Sequence, residues 1–225
     1  MSGAPKKVII VGAGTAGAIL AKRLAPHFDV TVFDKCLHEK MPIFYRVPLT
    51  IGLLFNRETI YVQKSSLPLG PKRKVPFFYS NLLGGASVIN GCVHVMGSTA
   101  IWKKTLFRFG LALDDLRKSY QALFTKEKAN GKISLTEAKK GRLDDAFFAA
   151  LKERGIDRGD VEYTDAVASG MIFNTVKRYF RSSVLDISPF TKSKVVVGCL
   201  IERLVVDANS EIVGVFDGRQ IILGD

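Results

Sequence analysis

The sequence predicts an α/β fold with a parallel sheet, and three features support this prediction. An apolar run at residues 8–11 is followed by a glycine-rich turn, a helical pattern at 18–24 and a second apolar run at 30–33. Amphipathic patterns at 113–124 and 143–154 predict two further helices, and short apolar runs near the C-terminus predict strands. Strands separated by a helix pair in parallel, whereas strands joined by tight turns form an antiparallel meander. We therefore predict a Rossmann-like domain with a parallel sheet, a helical and irregular excursion, and a β-meander near its end.

The glycine-rich turn has the spacing of a dinucleotide-binding loop. Gly12, Gly14 and Gly17 stand between the first strand and the first helix. In such a loop the first glycine makes a tight turn, the second lets a pyrophosphate approach the backbone, and the third lets helix and strand pack closely. Free amides at the start of the helix favour the phosphates. The order of strand, glycines, helix and second strand therefore predicts nucleotide binding rather than a purely structural turn.

An acidic residue completes this unit. Asp34 follows the second strand, 22 positions after Gly12, where it can accept hydrogen bonds from an adenosine ribose. A carboxylate there disfavours the 2′-phosphate of NADP. The residues alone leave FAD and NAD as alternatives.

Composition and charge exclude several classes of protein. The chain has 225 residues, of which 47% are hydrophobic and 24% charged, as in ordinary globular proteins. The cysteines Cys36, Cys92 and Cys199 lie far apart without a CxxC pattern, so we expect free thiols and no metal site. The net charge of +12 is spread over short basic clusters, which predicts no specific nucleic-acid partner.

No targeting or membrane segment is expected. Glycines interrupt the apolar N-terminal stretch, which argues against a signal peptide, and no run reaches the roughly 18 apolar residues of a membrane-spanning helix. We expect a cytosolic-like start, while the compartment stays unknown.

The chain is predicted to be one domain over 1–225. Residues 36–81 are rich in proline and aromatic residues and are predicted to form an irregular, lid-like excursion. Residues 83–91 cluster glycine and small side chains, which predicts a tight loop. Residues 194–225 are predicted to hold the β-meander and the start of a further strand.

These motifs, in this order, resemble the glucose–methanol–choline (GMC) family of FAD-dependent oxidoreductases. The segment at 83–91, together with the residues that follow it up to Gly97, resembles the family's first signature loop. Arg181-Ser182-Ser183 resembles the family's Arg-Ser-Ser element. The resemblance implies that FAD contacts nine residues: Gly12, Gly14, Thr15, Ala16, Gly17, Asp34, Gly85, Ser87 and Asn90. It also implies non-covalent FAD, because Ile89 stands where some members carry the histidine that is attached to the flavin.

Other positions depart from the family pattern. Ala86 replaces a loop serine, and Met96 replaces the arginine of the family's Arg-Gly pair. The family's catalytic histidine and its partner belong to a later part of the fold, which has no counterpart among these 225 residues. We therefore expect no catalytic residue here and an FAD-binding portion of an oxidoreductase acting on CH–OH groups, inactive by itself. The alternatives are half of a split enzyme completed by a second chain, or a non-catalytic module that binds nucleotides or polyanions.

Overall fold

The computed structural model describes most of the chain in several stretches, which are residues 5–37, 43–47, 60–65, 75–80, 82–85, 87, 93–94, 99–126, 131–137, 141–156 and 173–224. The chain forms two compact units. The first joins Met1–Asn90 to Ser183–Asp225, and the second is Gly91–Ser182. The first boundary falls at the end of the sequence segment 83–91, and the second falls within Arg181-Ser182-Ser183.

Five α-helices and one 3₁₀ turn lie in the described part. They are α1 (Thr15–Leu24), α2 (Ile43–Arg46), α3 (Thr99–Phe107), α4 (Leu113–Leu123) and α5 (Arg142–Glu153), with the 3₁₀ turn at Val184–Ile187. The strands described are β1 (Lys7–Val11), β2 (Asp29–Phe33), β3 (Ile60–Ser65), β4 (Val75–Ser80), β5 (Val93–His94), β6 (Phe124–Thr125), β7 (Ile133–Ser134), β8 (Thr136–Glu137), β9 (Phe173–Asn174), β10 (Val176–Lys177), β11 (Phe180–Arg181), β12 (Lys194–Val196), β13 (Arg203–Val206), β14 (Ile212–Phe216) and β15 (Ile221–Leu223).

A parallel sheet organises the first unit, which confirms the predicted fold class. Its strand order is β1-β2-β12, with Lys7 opposite Asp29 and Lys194 opposite Thr31. Val30 and Val32 of the central strand are buried, as is Ala21 of α1. Because α1 connects two parallel strands, its small residues pack against the sheet and form the core between them.

The predicted β-meander follows this sheet. Strands β13, β14 and β15 pair antiparallel in sequence order. The first turn is held by Asp207, whose carboxylate accepts hydrogen bonds from the amides of Asn209 and Glu211. Asp217 holds the second turn in the same way, through the amides of Arg219 and Gln220. Such short polar side chains favour tight turns because they bond their own backbone.

Residues 36–81 contain more regular structure than the prolines predict. Helix α2 lies there, and β3 and β4 form an antiparallel pair with Ile60 opposite Ser80 and Ser65 opposite Val75. The reason is local, since both strands are rich in β-branched and aromatic residues, which favour extended backbone. Pro76 is tolerated because the described sheet has only these two strands, so each has a neighbour on one side. The lid-like role of this segment stays a prediction.

In the second unit, α4 and α5 lie within one residue of the predicted helices, whereas α3 was not predicted. The short strands pair as β5-β9-β8, β6-β7 and β10-β11. Arg181 and Ser182 are buried. Across the described residues, no helix combines the length and apolar character needed to cross a membrane.

Candidate nucleotide-binding site

The glycine loop between β1 and α1 has the backbone geometry that its sequence predicts. Gly12 has a φ of +94°, a conformation that side chains rarely adopt. Its amide donates a hydrogen bond of 2.7 Å to the carbonyl oxygen of Phe33, which closes the loop onto the end of β2. A Cβ atom added at Gly12 or Gly14 would meet no other atom within 4 Å. Open space therefore lies over both glycines, at the start of α1.

The third glycine faces inward. A Cβ atom at Gly17 would overlap the carbonyl oxygen of Gly12 and lie 3.3 Å from Cγ2 of Ile10. Gly17 is buried, and helix α1 crosses β1 at this point. Glycine is required here for helix–strand packing, whereas at Gly14 it leaves room for a ligand.

Asp34 organises the end of β2. Its Oδ2 accepts a hydrogen bond from the amide of Ala13, and its Oδ1 accepts one of 2.7 Å from the amide of Cys36. The backbone of Asp34 also pairs with the end of β12 and the segment after it, since its amide donates to the carbonyl of Val196 and its carbonyl accepts from the amide of Cys199. The half-buried carboxylate thus holds the glycine loop against the carboxyl end of the sheet.

A second loop, Leu82–Gly85, lies against the first. The amide of Gly84 donates to the carbonyl of Ala13 at 2.8 Å. Gly85 has a φ of +53°, and a Cβ atom there would lie 3.0 Å from Cα of Gly14. The two loops approach so closely that a larger side chain at Gly85 would displace Gly14.

Ser87 fixes this second loop. Its Oγ donates a hydrogen bond of 2.7 Å to the carbonyl of Gly84 and accepts one of 3.3 Å from the amide of Val184. Thr15 adds a longer bond, 3.4 Å, from its Oγ1 to the same carbonyl of Gly84. Ser87 therefore links the loop to the 3₁₀ turn that follows much later in the sequence.

Both loops border one cavity of about 380 Å³. It is lined by Val11, Gly12, Gly14, Phe33, Asp34, Lys35, Leu82, Gly85, Cys199, Leu200 and Ile201. The cavity opens at the carboxyl ends of β1 and β2, where ligands bind in open α/β sheets. Four of the nine residues that the sequence assigns to the cofactor line it, namely Gly12, Gly14, Asp34 and Gly85.

The remaining assigned residues differ in position. Thr15 and Ala16 are exposed in the first turn of α1, and Gly17 and Ser87 support the two loops from behind. Asn90 lies outside the described residues. The role of each residue toward a cofactor stays a prediction.

Seven of the eleven lining residues were not assigned from the sequence, and three of these, Cys199, Leu200 and Ile201, lie far from both motifs in the sequence. They follow β12, which lies beside β2 in the parallel sheet. Segments that follow neighbouring parallel strands meet at the same edge of a sheet. If residues 194–196 had been assigned to the parallel sheet and not only to the predicted β-meander, these three residues would have been expected at the cavity.

Cys199 is the one thiol described in the cavity wall. Burial raises the pKa of this thiol, the carboxylate of Asp217 raises it further, and the cation of Arg219 opposes them. The neutral thiol is therefore favoured. Since only the thiolate is a good nucleophile, Cys199 is not activated for chemistry in this setting.

The lining residues contain no evident general base. Their ionisable members are Asp34, Lys35 and Cys199. His27 is exposed before β2, at the opposite end of that strand from the cavity. Within the described ranges, no group of three or more His, Cys, Asp or Glu side chains could hold a metal ion.

The second unit contains a separate cavity of about 390 Å³, lined by Tyr120, Gln121, Phe124, Thr125, Lys126, Lys132 and Leu135. The ammonium group of Lys132 donates a hydrogen bond of 3.0 Å to the carbonyl of Gln121, near the C-terminus of α4. Cations are favourable at that end of a helix. This lysine has a structural contact, and none of the nine residues assigned to the cofactor lines this cavity.

Two curated relatives of the chain are oxygen-dependent choline dehydrogenases. No protein-family model matches the chain. The chain is 31% identical over 172 residues to the oxygen-dependent choline dehydrogenase of Paraburkholderia xenovorans, and 30% identical over 168 residues to that of Paraburkholderia phytofirmans. Each match covers 67% of this chain and 29% of the relative. The chain thus spans less than a third of the length of these curated relatives.

Solved structures share the fold at lower sequence identity. Pyridoxine 4-oxidase from Mesorbium loti has a TM-score of 0.73 at 18% identity, over 93% of this chain and 45% of that one. A variant of formate oxidase from Aspergillus oryzae has a TM-score of 0.74 at 19% identity, over 96% of this chain and 42% of that one. An FAD-dependent oxidoreductase from Chaetomium thermophilum has a TM-score of 0.65 at 17% identity, over 97% and 43%.

Proposed function

We propose that this chain, which belongs to the glucose–methanol–choline family of oxidoreductases, binds FAD non-covalently in the cavity of its first unit. One observation carries the proposal: the glycine loop, the second loop and Asp34 meet around a single cavity at the carboxyl end of the parallel sheet. The similarity to choline dehydrogenases supports the family, and the shared fold with the FAD-dependent oxidoreductase of Chaetomium thermophilum supports the cofactor.

The residues present fit FAD. The space above Gly12 and Gly14 leaves backbone accessible to a pyrophosphate, next to the N-terminus of α1. Each carboxylate oxygen of Asp34 accepts one backbone hydrogen bond and retains a further lone pair for a ribose hydroxyl. Leu200 and Ile201 give the cavity an apolar wall for a flat base.

Catalysis needs more than these residues supply. Bound FAD would accept a hydride from a CH–OH donor, and the protein must position the donor and remove its proton. At the described cavity, the carboxylate of Asp34 is engaged by two amides, and the Cys199 thiol is held neutral by its raised pKa. We therefore propose that the chain is the FAD-binding portion of an oxidoreductase acting on CH–OH donors and does not oxidise alcohols by itself.

Calorimetric titration tests the binding step. FAD is expected to bind with a Kd in the micromolar range or below, and NADP more weakly by at least about tenfold, because Asp34 repels a 2′-phosphate. The loaded chain is then mixed with choline without oxygen, and the flavin absorbance is expected to persist. Absence of heat and of binding with FAD would refute the proposed cofactor, whereas bleaching by choline would refute only the proposed inactivity.

A further inference from the structure

The second unit presents exposed apolar side chains where helix α3 ends. Phe107 is 84% exposed, Phe109 is 74% exposed and Leu111 is 51% exposed. Leu106, on the other face of the helix, is only 8% exposed. Large apolar side chains that cluster at the surface mark a place that meets an apolar partner, whereas scattered single ones need no explanation. We call residues 103–111 the α3 tip.

The backbone of the α3 tip is held by hydrogen bonds. The amide of Gly110 donates one of 3.2 Å to the carbonyl of Phe107, and the amide of Leu111 donates one of 3.0 Å to the carbonyl of Leu106. Gly110 has a φ of +66°. This pair of bonds around a left-handed glycine is the Schellman arrangement, which ends many helices. Because the turn is already ordered, binding through its side chains would cost little additional backbone entropy.

Positive charge lies beside these apolar side chains. Lys103 and Lys104 precede Phe107 by four and three residues, a spacing that places the three side chains on one face of α3. Arg108 follows Phe107 directly, and all three basic residues are exposed. The α3 tip therefore combines an apolar end with three cations. This combination matches a surface whose outer layer is anionic and whose interior is apolar.

The acidic residues that follow the tip in the sequence have contacts within α4. Asp114 forms an ion pair of 3.3 Å with Arg117, and Asp115 accepts a hydrogen bond of 3.0 Å from the amide of Ala112. Both carboxylates are also favourable in the first turn of a helix. Residues 99–118 hold five basic and two acidic side chains, so the net charge of α3, the tip and the start of α4 is +3.

Two features favour a lipid surface over other partners of an apolar, basic patch. Lysine is depleted in protein–protein interfaces, yet two lysines share the face of Phe107. Single-stranded nucleic acid binds through bases stacked on aromatic rings, and the aliphatic side chain of Leu111 offers no such ring. Hydrocarbon accepts aromatic and aliphatic side chains alike.

We propose that the α3 tip docks on an anionic lipid surface. Its three apolar side chains enter the boundary between headgroups and acyl chains, and its three cations contact the anionic headgroups. Each basic residue near such a surface strengthens binding about fivefold, and buried apolar area adds to this. The attachment is reversible and weakens as salt is added, because salt screens the charges.

Co-sedimentation with lipid vesicles tests this proposal on the full chain without any flavin readout. The probes are phosphatidylcholine vesicles that contain about 30% phosphatidylserine, with pure phosphatidylcholine vesicles for comparison. The chain is expected to bind the anionic vesicles at least about tenfold more tightly than the neutral ones. Raising the salt to about 0.5 M is expected to remove most of this difference.

The apolar part of the contact is tested by Phe107→Ser. This variant is expected to bind the anionic vesicles at least about tenfold more weakly, because a large apolar side chain no longer enters the membrane. The matched control is Leu143→Ser on α5, since Leu143 is 85% exposed and lies outside the tip. The control is expected to bind as the unmodified chain does. Circular dichroism checks that both variants are folded.

The electrostatic part is tested by Lys104→Glu, which is expected to weaken binding at least about tenfold. Lys152→Glu is its matched control. Both lysines lie in the last turn of a helix, and both substitutions lower the net charge of the chain by the same amount. The control is expected to weaken binding by less than about threefold, because its charge lies outside the tip.

Three results would overturn the proposal. The first is no sedimentation with the anionic vesicles, and the second is an equal loss of binding in the tip variants and their controls. The third is tighter binding to a single-stranded oligonucleotide than to the vesicles, lost in Phe107→Ser, which would assign the tip to nucleic acid. Because FAD is absent from the experiment, each result leaves the proposed cofactor binding untouched.

Discussion

Gly14 and Gly17 stand three residues apart, yet substitution by alanine is expected to affect different properties at the two positions. At Gly17 it should lower the stability, and at Gly14 it should lower the FAD affinity. Gly17→Ala places a methyl group into the carbonyl of Gly12, and overpacking of this kind costs about 1–3 kcal/mol of unfolding free energy. Gly14→Ala meets no atom within 4 Å, so stability should fall by less than about 1 kcal/mol while FAD affinity falls at least about tenfold. Urea unfolding and FAD titration of both variants measure this. Equal loss of stability in the two would contradict the packing described for the loop.

Asp34 has a structural task that does not require a ligand. Asp34→Ala leaves the amides of Ala13 and Cys36 without their acceptor, which should cost about 2–3 kcal/mol of stability, because the bonds are to a charged group. Asp34→Asn keeps one acceptor oxygen and should lose about half as much. Urea unfolding without FAD measures the difference. An Asp34→Ala protein as stable as the unmodified chain would show that these hydrogen bonds do not hold the loop.

Cys199 offers a pH-dependent report on the cavity. Its pKa is raised by burial and by Asp217, so at a given pH it holds less thiolate than an ordinary cysteine. Alkylation by iodoacetamide is therefore expected to be slower than for a free thiol at pH 8, with its rise in rate shifted to higher pH. FAD should slow it further, because Cys199 lines the cavity. Mass spectrometry of the labelled peptide measures both effects, with Cys199→Ser as the control.

At the scale of elements, the Ser87 hydroxyl joins the second loop to the 3₁₀ turn. Ser87→Ala removes the bonds to Gly84 and Val184, and we expect a loss of about 1–2 kcal/mol together with weaker FAD binding. Thr191→Ala is the matched control, since its hydroxyl makes one exposed bond to the carbonyl of Ser188 and should change stability by less than about 0.5 kcal/mol. Urea unfolding of both variants is the measurement. Equal small effects would mean that Ser87 does not hold the second loop.

The elements that the sequence predicts well are those with local causes. The β1–α1–β2 unit follows from apolar runs and glycines within about 30 residues, as expected for a βαβ unit. The pair β3–β4 was not predicted, because the prolines of residues 36–81 indicate irregular structure, whereas the β-branched and aromatic residues beside them favour strands. Helix α5 forms where its apolar pattern predicts, yet Leu143 is 85% exposed and Phe147 59% exposed. A pattern fixes the helix and its apolar face, while what covers that face depends on other parts of the molecule.

The candidate site was predictable to the extent that it is continuous in sequence. Gly12, Gly14 and Asp34 lie within one motif, and Gly85 lies in the second motif. Leu200 and Ile201 enter the cavity only because β12 pairs with β2, a contact between residues more than 150 positions apart. Which strands become neighbours depends on the packing of the whole sheet, and a short apolar run carries no information about its partner.

For the whole molecule, the central claim is that the first unit binds FAD. The most direct test is the visible absorption spectrum of the purified chain, incubated with FAD and then desalted. We predict flavin bands near ~450 nm that remain with the unmodified protein and are lost with Gly14→Ala, while both proteins unfold cooperatively in urea. A folded, unmodified chain that leaves the column colourless after loading would contradict the account, since the loop, Asp34 and the cavity would then be present without the binding that they are proposed to support.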